Sequence, residues 1–208
     1  MALIVVGSNV RKAGRTSFIE QWLRIAAVDD RWAAVKRTPD VHGNMDRTVL
    51  CEEIEVPGED GSGRRAFQDT PGTGDGRDRR PFDSDRYRLA GAAHSVYLEG
   101  RGVEAESALL DLVASETNVI VESTAAIEVL TPDAFVLIWD VTAPHSAMKE
   151  SASRALARAD AVVLTRCSPG ATLPQLPTQA RVVTADERFR VPEGLLAWLR
   201  GRLSGMED

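Results

Sequence analysis

The chain has 208 residues, 43% hydrophobic and 27% charged, with a formal net charge of −6. That length and composition suit one α/β domain spanning residues 1–208, and the acidic balance speaks against a dedicated nucleic-acid binder. Cys51 and Cys167 are too scattered for a disulfide framework or a zinc site, and no window is apolar for long enough to span a membrane.

The first element is an apolar run, Ala2 to Val6, that stops at Gly7. Ser8-Asn9-Val10-Arg11-Lys12-Ala13-Gly14-Arg15-Thr16-Ser17 follows, then an amphipathic stretch from Phe18 to Ala27. A buried strand, a turn of small and basic residues and a helix form the layout of a phosphate-binding loop. In such a loop, backbone amides and the positive helix end converge on an anion. The pattern G-x-x-x-x-G-K-[ST] is met at Gly14 and Thr16, but Asn9 stands at the first glycine and Arg15 at the lysine. Residues 9–17 are therefore expected to cradle a nucleotide, with Arg15 as the catalytic cation and Lys12 close enough to stand in for it. Arginine neutralises phosphate with a larger, planar fork, so the exchange is not conservative and puts hydrolysis in question. The alternative is an ordinary strand–turn–helix start whose glycines only turn the chain. With no leader ahead of the loop, a cytoplasmic protein is expected.

Arg31 to Lys36 reads as a second strand. Residues 41–82 differ in character, being rich in Gly, Asp, Arg and Pro. Strand-like alternation there is confined to Val49–Val56 and Arg65–Gln68, so a flexible insertion with a small hairpin is expected over the phosphate site. Asp69-Thr70-Pro71-Gly72 looks like the switch motif of regulatory GTPases. The strand before it is too polar for a core strand, however, and a plain turn is the favoured reading. Asp83 to Gly91 reads as a short capped helix ended by its glycine. Ser95–Leu98, Asn118–Val121, Phe135–Trp139, Ala161–Leu164 and Arg181–Val183 read as strands. Val103–Ser115, Ser146–Ala157 and Glu193–Leu203 read as helices. This alternation predicts a three-layer, mostly parallel, doubly wound sheet of the P-loop NTPase kind, with ligands at the carboxyl ends of the strands.

Gly7, Lys36, Glu122, Asp140 and Thr165 all fall at such ends. A nucleotide-bound Mg2+ calls for the loop hydroxyl, here Thr16, and a carboxylate. Glu122 is the first choice, as ligand and catalytic group, and Asp140 the second. Lys36, Asp83 and Arg86 are expected on the substrate side, with Arg86 reaching an anion or simply solvated among Arg77, Arg79, Arg80 and Arg88. No Asn-Lys-x-Asp guanine-reading motif is present; the matching strand end is Thr165-Arg166-Cys167-Ser168. His42, His94 and His145 show no ligand spacing.

Several of these segments, in order, resemble the molybdopterin-guanine dinucleotide biosynthesis adaptor family, MobB. The matching pieces are the N-terminal phosphate loop, Ala34-Val35-Lys36, Asp83-Ser84-Asp85-Arg86-Tyr87-Arg88-Leu89-Ala90-Gly91-Ala92 and Val121-Glu122-Ser123. The resemblance covers residues 2–123 and implies a GTP- or ATP-binding P-loop protein that assists cofactor or metal-centre assembly. It also implies a cofactor-biosynthesis protein as partner, and a homodimer. Arg15 and Ser123 depart from the family's lysine and glycine. Besides a slow NTPase, two readings stand: a catalytically weakened, nucleotide-responsive scaffold, and a small-molecule kinase.

Overall fold

A computed structural model describes residues 1–38, 49–53, 83–100, 102–149, 151–168, 170 and 173–205. Most of the expected insertion, with the Asp69–Gly72 motif, the Arg65–Gln68 strand, His42 and Arg77, Arg79 and Arg80, lies outside those residues.

Eight strands form one sheet: β1 (Ala2–Ser8), β2 (Ala33–Thr38), β3 (Val49–Glu53), β4 (His94–Gly100), β5 (Asn118–Glu122), β6 (Ala134–Asp140), β7 (Ala161–Thr165) and β8 (Arg181–Thr184). Their order across the sheet is β3-β4-β2-β5-β1-β6-β7-β8. Among the described residues, seven of these strands run parallel, and only the edge strand β3 pairs antiparallel, with β4. Buried on both faces, β1, β6 and β7 are continuous apolar runs, as central parallel strands must be.

Helices cover both faces. On one side lie α1 (Arg15–Ala26), α2 (Asp83–Leu89) and α5 (Glu193–Leu203), packed on Ile4, Val6, Ile120 and Val136. On the other lie α3 (Gly102–Ser115) and α4 (Ser151–Arg158), packed on Val5, Val121, Leu137 and Val162. Period-two alternation along each strand divides its apolar residues between these two cores. In α1, Phe18, Ile19, Trp22, Leu23 and Ala26 recur at helical spacing and are all buried. Trp22 meets Trp32, just ahead of β2, edge to face at 5.4 Å, which fixes how α1 returns to the sheet.

The short helix α2 stops as its sequence demands. Gly91 is left-handed (φ 110°), Ala92 N–H donates to the Tyr87 carbonyl (3.0 Å) and Gly91 N–H to that of Arg88 (3.0 Å). This is a Schellman close. One expected helix is broken. Ser146–Ala157 divides into a 3₁₀ turn at His145–Ala147 and α4 from Ser151, because Met148 is extended and Lys149 N–H donates to the Asn9 carbonyl (2.9 Å). Strand β1 lies between β5 and β6; the chain leaves it for β2 on one side and later passes from β5 to β6 on the other, so a crevice opens at the carboxyl end of β1.

Candidate functional site

The chain leaves β1 at Ser8 and reaches α1 through two left-handed residues, Lys12 (φ 58°) and Gly14 (φ 112°). The first helical bond is Phe18 N–H to the Gly14 carbonyl, 3.0 Å. No side chain caps α1 and its first turn holds no acid, so the orphan amides and positive dipole end face the loop uncompensated. Gly14 is required twice over. Besides its φ, a Cβ there would come within 2.6 Å of Phe189 Cδ1. Val10 and Ala13 are buried in the α1-side core, so only their backbone can serve a ligand, while Arg11 and Lys12 are exposed. Ser17 accepts at its carbonyl from Gln21 Nε2 (2.9 Å).

Behind the loop, Glu122 is the hub. Its buried carboxylate receives Arg15 Nη2 at 3.2 Å, Thr16 Oγ1 at 3.5 Å and the Tyr87 hydroxyl, with Lys36 Nζ at 3.9 Å. Strand β5 delivers it, α1 the first two donors, α2 the phenol and β2 the lysine. Burial, then the Glu122 charge, pushes the Tyr87 phenol well above its ordinary value, so it stays a proton donor. On the outer side Lys36 pairs with Asp83, Arg86 lies 3.4 Å from Asp83, and Glu20 clamps Arg86 through Nε (2.9 Å) and Nη2 (2.7 Å). The Glu20 hydrogen bond raises the Arg86 guanidinium further still. The three residues expected on the substrate side thus converge, and Lys36 links them to Glu122.

Asp140 sits on the opposite flank. Its carboxylate takes Arg166 on one oxygen and the Thr142 N–H (3.0 Å) and hydroxyl (2.7 Å) on the other. Its backbone is held by Asn9: Asn9 Nδ2 donates to the Asp140 carbonyl, and Asp140 N–H donates to Asn9 Oδ1, each at 2.9 Å. Asn9 is fully buried, a bracket between the loop and β6. Arg166, left-handed at the end of β7, also donates to the Lys12 carbonyl (3.2 Å) and lies over the Phe189 ring at 5.2 Å. Gln21 of α1 secures the turn at residues 186–191 that carries Phe189, donating to the Phe189 carbonyl (2.9 Å) and accepting from Val191 N–H (3.0 Å).

Sequence reasoning missed Lys149. Its ammonium donates to Ser8 Oγ (3.1 Å) and Thr124 Oγ1 (3.2 Å), at the root of the loop. Burial, then the positive charge of Arg15, lowers it to about 7 against the pull of Glu122, with a smaller share from Arg11. No motif marks it. Read as part of a helix it looks solvent-facing, and only the break before α4 turns it inward. Arg166 and Phe189 carried no motif either, because both act across distant segments.

Among the described residues, no group of three His, Cys, Asp or Glu side chains could hold a metal ion, and no helix is long and apolar enough to cross a membrane. The Thr16 hydroxyl and the Glu122 carboxylate are hard oxygen donors of the kind a magnesium ion takes.

No family profile and no curated protein matches the chain. Among solved structures, it is similar to LpxK from Aquifex aeolicus, crystallised in complex with ATP. The TM-score is 0.51 and the identity 17%, over 88% of this chain and 53% of that one. The chain therefore spans about half the length of that protein, and the likeness is one of fold alone: an α/β fold on a mostly parallel sheet.

Proposed function

We propose that the chain binds a magnesium nucleoside triphosphate, ATP or GTP, at the loop between β1 and α1, and turns it over slowly. The observation that carries this reading is the Thr16–Glu122 pair beside an uncapped, acid-free helix start. Asn9 N–H is taken by the Ile138 carbonyl (3.2 Å), so the amides of residues 10–17 would hold the phosphates, and Thr16 and Glu122 the magnesium ion, which would neutralise phosphate charge. Asp140, engaged by Arg166 and Thr142, is the second candidate ligand and serves the reading less directly.

Arg15 accounts for the slow turnover. With its guanidinium on the carboxylate meant for the metal, ligand entry must first part Arg15 from Glu122. The same contact supports a nucleotide-responsive scaffold, since parting that pair transmits occupancy to Tyr87 and Lys36. The Lys36–Asp83–Arg86 group gives a kinase its place for an anionic acceptor. The Asp83–Ala92 resemblance makes assembly of a cofactor or metal centre, in the cytoplasm and beside a biosynthetic partner, the biological role we favour.

Calorimetric titration of ATP, GTP and their non-hydrolysable analogues, with and without magnesium, tests the reading. Magnesium-dependent binding of one nucleotide, lost in Thr16→Ala and Glu122→Gln, is the expected result. Binding of none overturns it.

A further inference from the structure

The motif position for the phosphate-binding lysine holds Arg15, and Arg15 is turned onto Glu122 at 3.2 Å. The loop's own Lys12 is exposed, and its left-handed backbone projects from the turn. A different cation occupies the root of the loop. Lys149 arrives from the segment between β6 and α4, anchored by its own N–H on the Asn9 carbonyl (2.9 Å).

The partners of the Lys149 ammonium are incomplete. Ser8 Oγ donates its proton to the Val10 carbonyl (2.7 Å), and Thr124 Oγ1 donates its own to the Ser8 carbonyl (3.0 Å). Each hydroxyl therefore offers Lys149 a lone pair and no charge. An ammonium carries three N–H donors, and these two contacts use two of them. Among the described residues no carboxylate pairs with it; Glu122 faces it from further off, and Arg15 and Arg11 face it as like charges. A desolvated cation with a donor to spare, set against other cations, is an arrangement that an incoming anion relieves.

We propose that Lys149 contacts the phosphates of the bound nucleotide, supplying from outside the loop the ammonium that the loop itself lacks. The inference rests on the nucleotide-binding reading and assigns the phosphate-binding cation of that site. A lysine serving only as a tie between β1 and the β5 end would make the same two hydrogen bonds, so the test must separate the roles.

The decisive variant is Lys149→Gln, which keeps an N–H donor for the hydroxyls and removes the charge, with thermal unfolding of the free protein as control. Magnesium ATP and GTP are titrated into the native chain and the variant, in buffers of different ionisation enthalpy at about pH 8, where the free Lys149 is mostly neutral. The native chain should take up close to one proton on binding, because the anion restores the ammonium. A folded variant should bind roughly 10- to 100-fold more weakly and lose that uptake. Unchanged affinity, or weaker binding with the proton uptake intact, overturns the inference and leaves the nucleotide reading standing. If that variant does not fold, Lys149→Met and Lys149→Arg are titrated instead: weaker binding in the first with near-native affinity in the second is expected, and equal affinity in both overturns the inference. A native chain that binds neither nucleotide overturns both.

Discussion

Asn9 and Asp140 are joined by a reciprocal pair of hydrogen bonds, side-chain amide to backbone, each 2.9 Å long and fully enclosed. The residue that breaks the loop motif is thus a fitted part of the fold. Asn9→Gly, which restores the motif's first glycine, should destabilise the protein by about 1–3 kcal/mol, because it strands the buried Asp140 N–H and leaves the Asp140 carbonyl only the longer bond from Ala143 N–H (3.4 Å). For a chain of this size that is a fall of roughly 2–10 °C in Tm. Differential scanning calorimetry checks it; an unchanged or raised Tm would show that the bracket contributes nothing.

Gly14→Ala should damage both fold and loop. The left-handed φ of 112° costs a residue with a Cβ about 1–2 kcal/mol, and the Phe189 ring stands in the way. Adding Phe189→Ala should recover the steric share of the loss and leave the backbone share. Denaturant unfolding of the two single variants and the double variant measures that coupling.

Arg15→Lys should raise turnover. A lysine is a compact ammonium without the planar fork that reaches Glu122, so the carboxylate is released for the metal. A gain of about tenfold in steady-state phosphate release corresponds to one charge-assisted contact redirected to the transition state. A variant no faster than the native chain would place the barrier elsewhere, as at Asn9, which stands where the motif has its first glycine.

The lowered Lys149 makes a signed prediction about stability without ligand. Its value falls from 10.5 unfolded to about 7 folded, so between those limits the unfolded chain binds the extra proton. Folding stability from this group therefore rises with pH from about 7 towards 10 and is least in mild acid. Compared with Lys149→Gln, the native chain should gain ground as pH rises through that window. Urea titrations at a mildly acidic, a neutral and an alkaline pH would show it; parallel curves would mean the ammonium is not desolvated.

Tyr87 carries the opposite sign. Its phenol is raised above 10 by burial and by Glu122, so its stabilising share is complete below 10 and is lost only as pH rises through its folded value. Tyr87→Phe should lower stability at neutral pH by about 1–3 kcal/mol, leaving a Glu122 oxygen short of a donor, and should blunt the alkaline limb of the unfolding profile.

The order of elements was legible because apolar runs and glycine punctuation act locally. The strand before Gly7, the helix closed by Gly91 and the last helix, Glu193–Leu203, follow from their own residues. Glu122 and Thr16 could be expected near one another because strand ends and helix starts meet in this architecture. Other features depend on contacts between distant segments. Nothing local to Lys149 announces that its N–H will leave a helix for Asn9, at the other end of the chain. Arg166 and Asp140 are brought together only when β7 pairs beside β6. The same holds for Phe189, whose turn reaches Gly14 only through the whole C-terminal crossover.

Gln21 lends that turn its backbone partners, giving one hydrogen bond to Phe189 and taking one from Val191. Its position on the second turn of α1 ties the β1–α1 loop, the helix behind it and the 186–191 turn into a single mechanical body. The loop's stiffness is accordingly borrowed from the far end of the chain. A ligand that draws α1 forward would pull the C-terminal turn with it, carrying a local event at Gly14 to the rim of the sheet beside β8.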